Sequence, residues 1–198
     1  MTSTFSTAGE TAQTRIETAA QRLFSSRPAH EVRLDEIARE AGASLATIYR
    51  YYGDKQQLLN VCVVTWVDQL ADEMLDRLQI VESYRERLHE TFRVVLAFFE
   101  THPDIAPLIL GSLYSGAVHC EATATQKTLS DMLLGVLGEA REAGQLNQRV
   151  SDAILLDYFM GVLTRLIQSQ AIHNDGPRMT EQHEELFDML WRAIANPD

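Results

Sequence analysis

The chain has 198 residues, 45% of them hydrophobic and 23% charged, with a formal net charge of −11 at pH 7. That balance excludes a disordered chain and gives enough length for one or two domains with a real core. Ten Gly and five Pro are too few for a many-stranded sandwich, which needs a turn about every 8–12 residues, so the expected fold class is all-α.

The elements follow from apolar spacing and caps. Residues 1–10 read as a flexible arm. Ile16, Ala19, Ala20, Leu23 and Phe24 form the stripe of an amphipathic helix over about 11–26, which Pro28 ends. Leu34, Ile37, Ala38 and Ala41 mark a short second helix, with Asp35 and Glu36 at its positive end and Gly42 leaving it in a left-handed conformation. Ser44 is placed to cap a third helix over 45–51, which Gly53 ends. Asp54 with Gln57 resembles a capping box, starting a fourth helix that reaches about Gln79.

Further helices are expected over Ser83–Thr101, from Pro103, over Glu121–Ala143, and from the cap Ser151 to about His173. Asn174 to Pro177 spells a turn, after which Thr180 and Glu184 open a last helix to Ala195. No apolar run approaches the ~20 residues that span a bilayer, and the first ten residues carry no basic, apolar signal pattern. A cytoplasmic protein without a membrane partner is the expectation.

Charge is unevenly spread. Residues 11–59 carry seven basic groups and six acids, whereas 60–198 carry ten basic groups and 21 acids. A near-neutral N-terminal quarter joined to an acidic remainder suggests two regions with different partners, with the domain boundary expected between 11–53 and 54–198. Cys62 and Cys120 stand apart with no CxxC and no local Cys/His set, so plain buried thiols are expected, with no metal site and no cofactor.

Two short helices joined through Ala41-Gly42-Ala43 form a helix-turn-helix, in which the first helix braces the second at a DNA surface. Ile37 and Ile48 would pack the pair together, and Ala38 would let them approach closely. Ser44, Leu45, Ala46, Thr47 and Arg50 are then left for a major groove ~12 Å wide. Phenol hydroxyls and an ammonium at a helix start suit phosphates, and Lys55 is one of two lysines in the chain.

These residues resemble the TetR family of transcriptional repressors. The likeness lies in Ile37-Ala38, Ala41-Gly42, Ser44, Thr47, Ile48-Tyr49, Tyr51-Tyr52, Lys55 and Leu58, and covers residues 12–60. It implies that Tyr49, Tyr51 and Lys55 bind phosphates and that Leu45, Ala46 and Thr47 face base edges. Arg33 joins the DNA-binding set, although the family often has Thr there.

The resemblance also implies a homodimer on a palindromic operator and release of DNA by a small-molecule effector. The last two helices offer the interface: Ile154, Leu155, Tyr158, Val162, Leu166 and Ile167 on one, Leu186, Met189, Leu190, Ala193 and Ile194 on the other. Candidate effector residues are Trp66, Met74, Phe92, Phe99, His102, Tyr114, Met132, Tyr158 and Phe159, large or polar-tipped groups that describe a pocket and a core equally well. An acidic lining from Asp68, Asp72, Glu100 or Asp157 would favour a cationic effector. No catalytic signature is present, so an enzyme is not expected. The alternative is a helical interaction or ligand-binding protein without DNA binding.

Overall fold

A computed structural model describes residues 11–78, 83–115, 123–172 and 178–196, apart from the side chains of 112–115. The arm over 1–10, the turn over 174–177, His173, Cys120 and the Tyr114 side chain lie outside the described residues.

The regular elements among those residues are helical: α1 (Ala12–Phe24), α2 (Leu34–Glu40), α3 (Leu45–Tyr52), α4 (Lys55–Leu78), α5 (Tyr84–Thr101), α6 (Ala106–Ser115), α7 (Ala124–Glu142), α8 (Asp152–Ile172) and α9 (His183–Ile194). A 3₁₀ turn, Met179–Gln182, precedes α9. The chain divides into two compact units inside α4, the first ending at Val64 and the second beginning at Thr65.

Local chemistry accounts for the starts and stops in the first unit. Thr11 accepts from the Thr14 N–H at the head of α1, and Ser44 accepts from the Thr47 N–H at 3.0 Å at the head of α3. The Glu36 carboxylate reaches back to the Arg33 N–H at 3.3 Å across the first turn of α2. Gly42 takes φ +59°, a conformation that would strain any side chain, and lets the Ala43 N–H reach the Ala38 carbonyl at 2.9 Å. Asp54 caps α4 by accepting from the Gln57 N–H at 2.8 Å.

The core of this unit is Ile16, Ala20 and Phe24 from α1, Ile37 and Ala38 from α2, Ile48 and Tyr52 from α3, and Leu58 and Cys62 from α4. Burial pushes the Cys62 thiol up to about 12, which makes it an inert apolar filler. Tyr52 is also core, and its hydroxyl donates to Glu17 Oε1 at 2.9 Å. Burial, then this bond to Glu17, holds its ionisation well above the usual phenol value. Tyr52→Phe is expected to lower the stability of the unit by about 1 kcal/mol, the net worth of one such bond, as read by thermal or denaturant unfolding.

In the second unit α8 lies against α6 and α7, and α5 against α7, α8 and α9. Fully buried Phe92, Phe159 and Phe187 key α5, α8 and α9 together, with Phe92 meeting Phe159 edge-on at 6.2 Å and Phe187 at 5.8 Å. The Asn147 N–H donates to Ile194 O at 2.9 Å and the Asn196 N–H to Gln145 O at 2.8 Å, tying the connection after α7 to the end of α9. None of the helices described is long and apolar enough to cross a membrane.

Three expectations need correction. Pro103 does not open α6; it lies in a turn closed by the Ile105 N–H on His102 O at 3.1 Å, where its fixed φ suits the second position, and α6 begins at Ala106. Thr180 does not cap α9, because both its N–H and its hydroxyl donate to the Glu100 carboxylate, and α9 starts at His183. The helix placed from Glu121 begins at Ala124, where Thr123 accepts from the Gln126 N–H.

Candidate nucleic-acid interface

Helix α3 buries one face and offers the other. Ile48 and Tyr52 point into the core, while Ser44, Leu45, Ala46, Tyr49, Arg50 and Tyr51 are exposed and Thr47 is half-buried. Eight residues make a helix about 12 Å long, short enough to lie in a major groove. The Ser44 and Thr47 hydroxyls contact each other at 2.8 Å, which fixes their direction at the N-terminal end.

The cations of this unit sort themselves by partner. Arg22 pairs with Glu40, Arg27 with Glu36, Arg33 with Asp35 at 2.9 Å, and Arg39 with Asp35 at 3.9 Å. Arg15 reaches back from α1 to donate to the Ala41 carbonyl at 3.0 Å, bracing the turn. Arg50 and Lys55 form no ion pair among the described residues. The Arg50 guanidinium lies over the Tyr51 ring at 5.0 Å, and Lys55 stands half-buried at the first position of α4. Burial holds the Lys55 ammonium below the ordinary lysine value, opposed by the charge of Glu36. Arg50 and Lys55 thus place two positive charges at the end of α3 and the start of α4, close in sequence to Tyr49 and Tyr51.

Arg33, included in the DNA-binding set, is exposed but engaged with Asp35, and that pairing raises its already high pKa and lowers that of Asp35. A phosphate would have to compete for it. The pairings of Arg22 with Glu40 and of Arg27 with Glu36 join residues well apart in the chain, which spacing alone does not reveal, whereas Arg33 and Arg39 meet Asp35 locally.

The residues named for an effector site are scattered. Trp66, Met74, Phe92 and Phe159 are sealed in the core, and Tyr158 is 49% exposed on the outside of α8. His102 and Met132 are half-buried, with His102 Nδ1 at 3.0 Å from Phe98 O. Only Phe99 of the described set lines the cavity of about 60 Å³ that also touches Glu100, Pro103, Ala106, Ile167, Gln170, Ala171 and Met179. Gln170 Oε1 is buried there without a hydrogen-bond partner among the described residues. An open groove of about 400 Å³ runs between α4 and α5, lined by Glu73, Asp76, Arg77, Arg93, Val94 and Ala97. Of the four carboxylates considered for an acidic lining, Asp72 and Asp157 are exposed, Asp68 bonds Gln126 and Thr123, and Glu100 holds Thr180.

Residues 16–62 match the family model described as bacterial regulatory proteins, tetR family. The N-terminal domain belongs to the tetR family. An uncharacterized HTH-type transcriptional regulator of Mycobacterium tuberculosis (strain CDC 1551 / Oshkosh) is 33% identical over 97 residues, 49% of this chain and 48% of that protein. The HTH-type transcriptional regulator BetI of Rhizobium meliloti (strain 1021) is 30% identical over 103 residues, 52% of this chain and 50% of that one. The chain spans about half the length of the curated relatives it matches.

Among solved structures, a TetR family transcription regulator from Marinobacter aquaeolei VT8 superposes with a TM-score of 0.74 at 23% identity, covering 93% of this chain and 98% of that one. The transcriptional regulator FadR from Bacillus subtilis, solved in complex with stearoyl-CoA, gives 0.73 at 16% identity over 92% and 99%. The tetR-family domain thus heads a chain whose helical fold is shared throughout with these proteins.

Proposed function

We propose that this protein is a dimeric transcriptional regulator that binds a palindromic operator through α3 and leaves it when a small molecule occupies the C-terminal unit. The observation that carries this reading is the placement of Arg50 and Lys55, cations without a carboxylate, beside exposed Tyr49 and Tyr51 at the joint of α3 and α4. Tyr49, Tyr51 and Lys55 hold phosphates, which position the domain; Ser44, Leu45, Ala46, Thr47 and Arg50 meet the groove. Arg33 serves a phosphate only after giving up Asp35.

A short reader with one arginine discriminates poorly alone, so two copies share the task. Ile154 and Tyr158 of α8 and Met189 of α9 are exposed large apolar residues from the stripes proposed for the interface, and Gly161 is exposed with open space above it. Leu155, Ile167, Leu190 and Ile194 are instead part of the subunit's own core, so the interface is narrower than the apolar stripes imply.

The effector site centres on the cavity beside Phe99. At about 60 Å³ it is well below the roughly 300–1,000 Å³ of ordinary ligand pockets, so binding opens it. Its wall of Phe99, Ala106, Ile167 and Met179 suits an apolar body, and Gln170 Oε1 asks for a hydrogen-bond donor. Helix α4 runs from Lys55 through Trp66 to Met74, so it is the element that carries the effector's signal to the phosphate-binding end.

Selection of bound duplexes from a random DNA pool tests the reading. The expected outcome is an inverted repeat with half-sites about one helical turn apart. Recovery of no enriched sequence, or of one unrepeated element, would count against a dimeric reader.

A further inference from the structure

Three metal-competent side chains from two distant parts of the sequence meet in the C-terminal unit. His89 comes from α5, and His183 and Glu184 begin α9; one ligand atom from each lies within 4.8 Å of the other two. His89 Nε2 is 3.6 Å from Glu184 Oε2, and His183 Nε2 is 3.4 Å from Glu184 Oε1. Ligands at tetrahedral corners about 2.0–2.1 Å from a zinc ion stand roughly 3.3 Å apart, so both nitrogen–oxygen separations already approach a shared shell. The rings stack parallel to within 4° with centroids 5.2 Å apart, so one of them must turn about its Cβ–Cγ bond for both Nε2 lone pairs to converge on one ion.

We propose that His89, His183 and Glu184 form a binding site for a divalent transition-metal ion of the zinc class, with solvent completing the coordination.

The hydrogen bonds around the rings select the needed form. His183 Nδ1 lies 2.7 Å from the Thr180 carbonyl, which can only accept, so Nδ1 carries the proton and the neutral ring keeps its Nε2 lone pair. Thr180 is itself held by the Glu100 carboxylate, giving the ring a rigid support. His89 Nε2 is buried and makes no hydrogen bond among the described residues, an uncompensated cost that a metal would remove. Burial lowers the His89 pKa and favours the neutral ligand.

The surrounding charges are already matched. Arg85 pairs with Asp188 and lies over the Phe187 ring, and Glu90 pairs with Arg93, leaving Glu184 to face the ion. Glu184 is 67% exposed, which provides an entry path, and Phe187 packs on His89 at 4.6 Å, drying the inner side. Two imidazole nitrogens and one carboxylate suit zinc or cobalt, whereas calcium and magnesium prefer oxygen. The ion would clamp the head of α9 to α5.

The test uses the full chain stripped with chelator and titrated with Zn(II) by calorimetry, and with Co(II) by visible absorption. One equivalent per chain is expected, with a Co(II) band of tetrahedral or five-coordinate type and a Zn(II)-dependent rise in Tm. Glu184→Gln changes an exposed group and should leave the fold intact while weakening binding at least tenfold; His183→Gln should do the same or more. No binding by the wild type, or wild-type affinity in both variants, would overturn the proposal and leave a stacked histidine pair that only packs.

Discussion

Replacing Phe159 by alanine should destabilise the C-terminal unit by about 3–5 kcal/mol, the cost of removing a phenyl group from a core that relaxes only partly. Phe159 is fully buried and meets Phe92 edge-on, and Phe92 in turn meets Phe187, so the loss is felt by α5, α8 and α9 together. Both tryptophans, Trp66 and Trp191, fall in this unit, so their fluorescence in a denaturant titration reads it directly. A change under 1 kcal/mol would mean that these three rings do not hold the helices together.

The second large effect concerns the exposed apolar face. Ile154 is 56%, Tyr158 49% and Met189 68% exposed, three large apolar groups left to solvent on the last two helices. The intact protein should sediment as twice its 22.3 kDa mass. Tyr158→Glu combined with Met189→Glu should yield a monomer, because each charge would be desolvated twice at a two-fold interface. Operator affinity should then fall towards the non-specific range of roughly 10⁻⁴–10⁻⁶ M, since one reader must act alone. Folding is monitored by circular dichroism, as both side chains are solvent-facing and their loss leaves the core unchanged. A wild-type monomer, or a double variant that still dimerises, contradicts this interface.

What the sequence made legible was local. The caps Ser44 and Asp54 and the stops at Gly42 and Gly53 act within four residues, and the helices they bound lie within two residues of expectation. Pro103 misled because the same fixed φ serves a turn as well as a first helical turn. Thr180 misled because a capping residue on paper had a stronger partner, Glu100, far along the chain.

The functional surface was legible to the same extent. The outward placement of Leu45, Ala46, Tyr49, Arg50 and Tyr51 follows from helical period once Ile48 and Tyr52 are assigned to the core. The commitment of Arg33 to Asp35 and of Arg22 to Glu40 depends on where neighbouring side chains land, and only coordinates reveal it. For an effector site, size and polarizability selected Phe92 and Phe159, which fill the core, whereas the cavity sets Phe99 beside Ala106, Ile167, Gln170 and Ala171, brought together from α5, α6 and α8. The meeting of His89 with His183 likewise needs the packing of α5 against α9.

The most direct test of the account is the salt dependence of duplex DNA binding, measured by fluorescence anisotropy for the wild type, Lys55→Ala and Arg33→Ala. Affinity should fall steeply as salt rises, log K declining by about 0.9 per phosphate contact for each decade of salt. Lys55→Ala should weaken binding to every sequence and reduce that slope by about one per subunit, while Arg33→Ala, its charge already matched by Asp35, should change the slope by less. Binding that is absent at low salt, or a slope untouched by Lys55→Ala, would contradict a DNA reader built on the joint of α3 and α4.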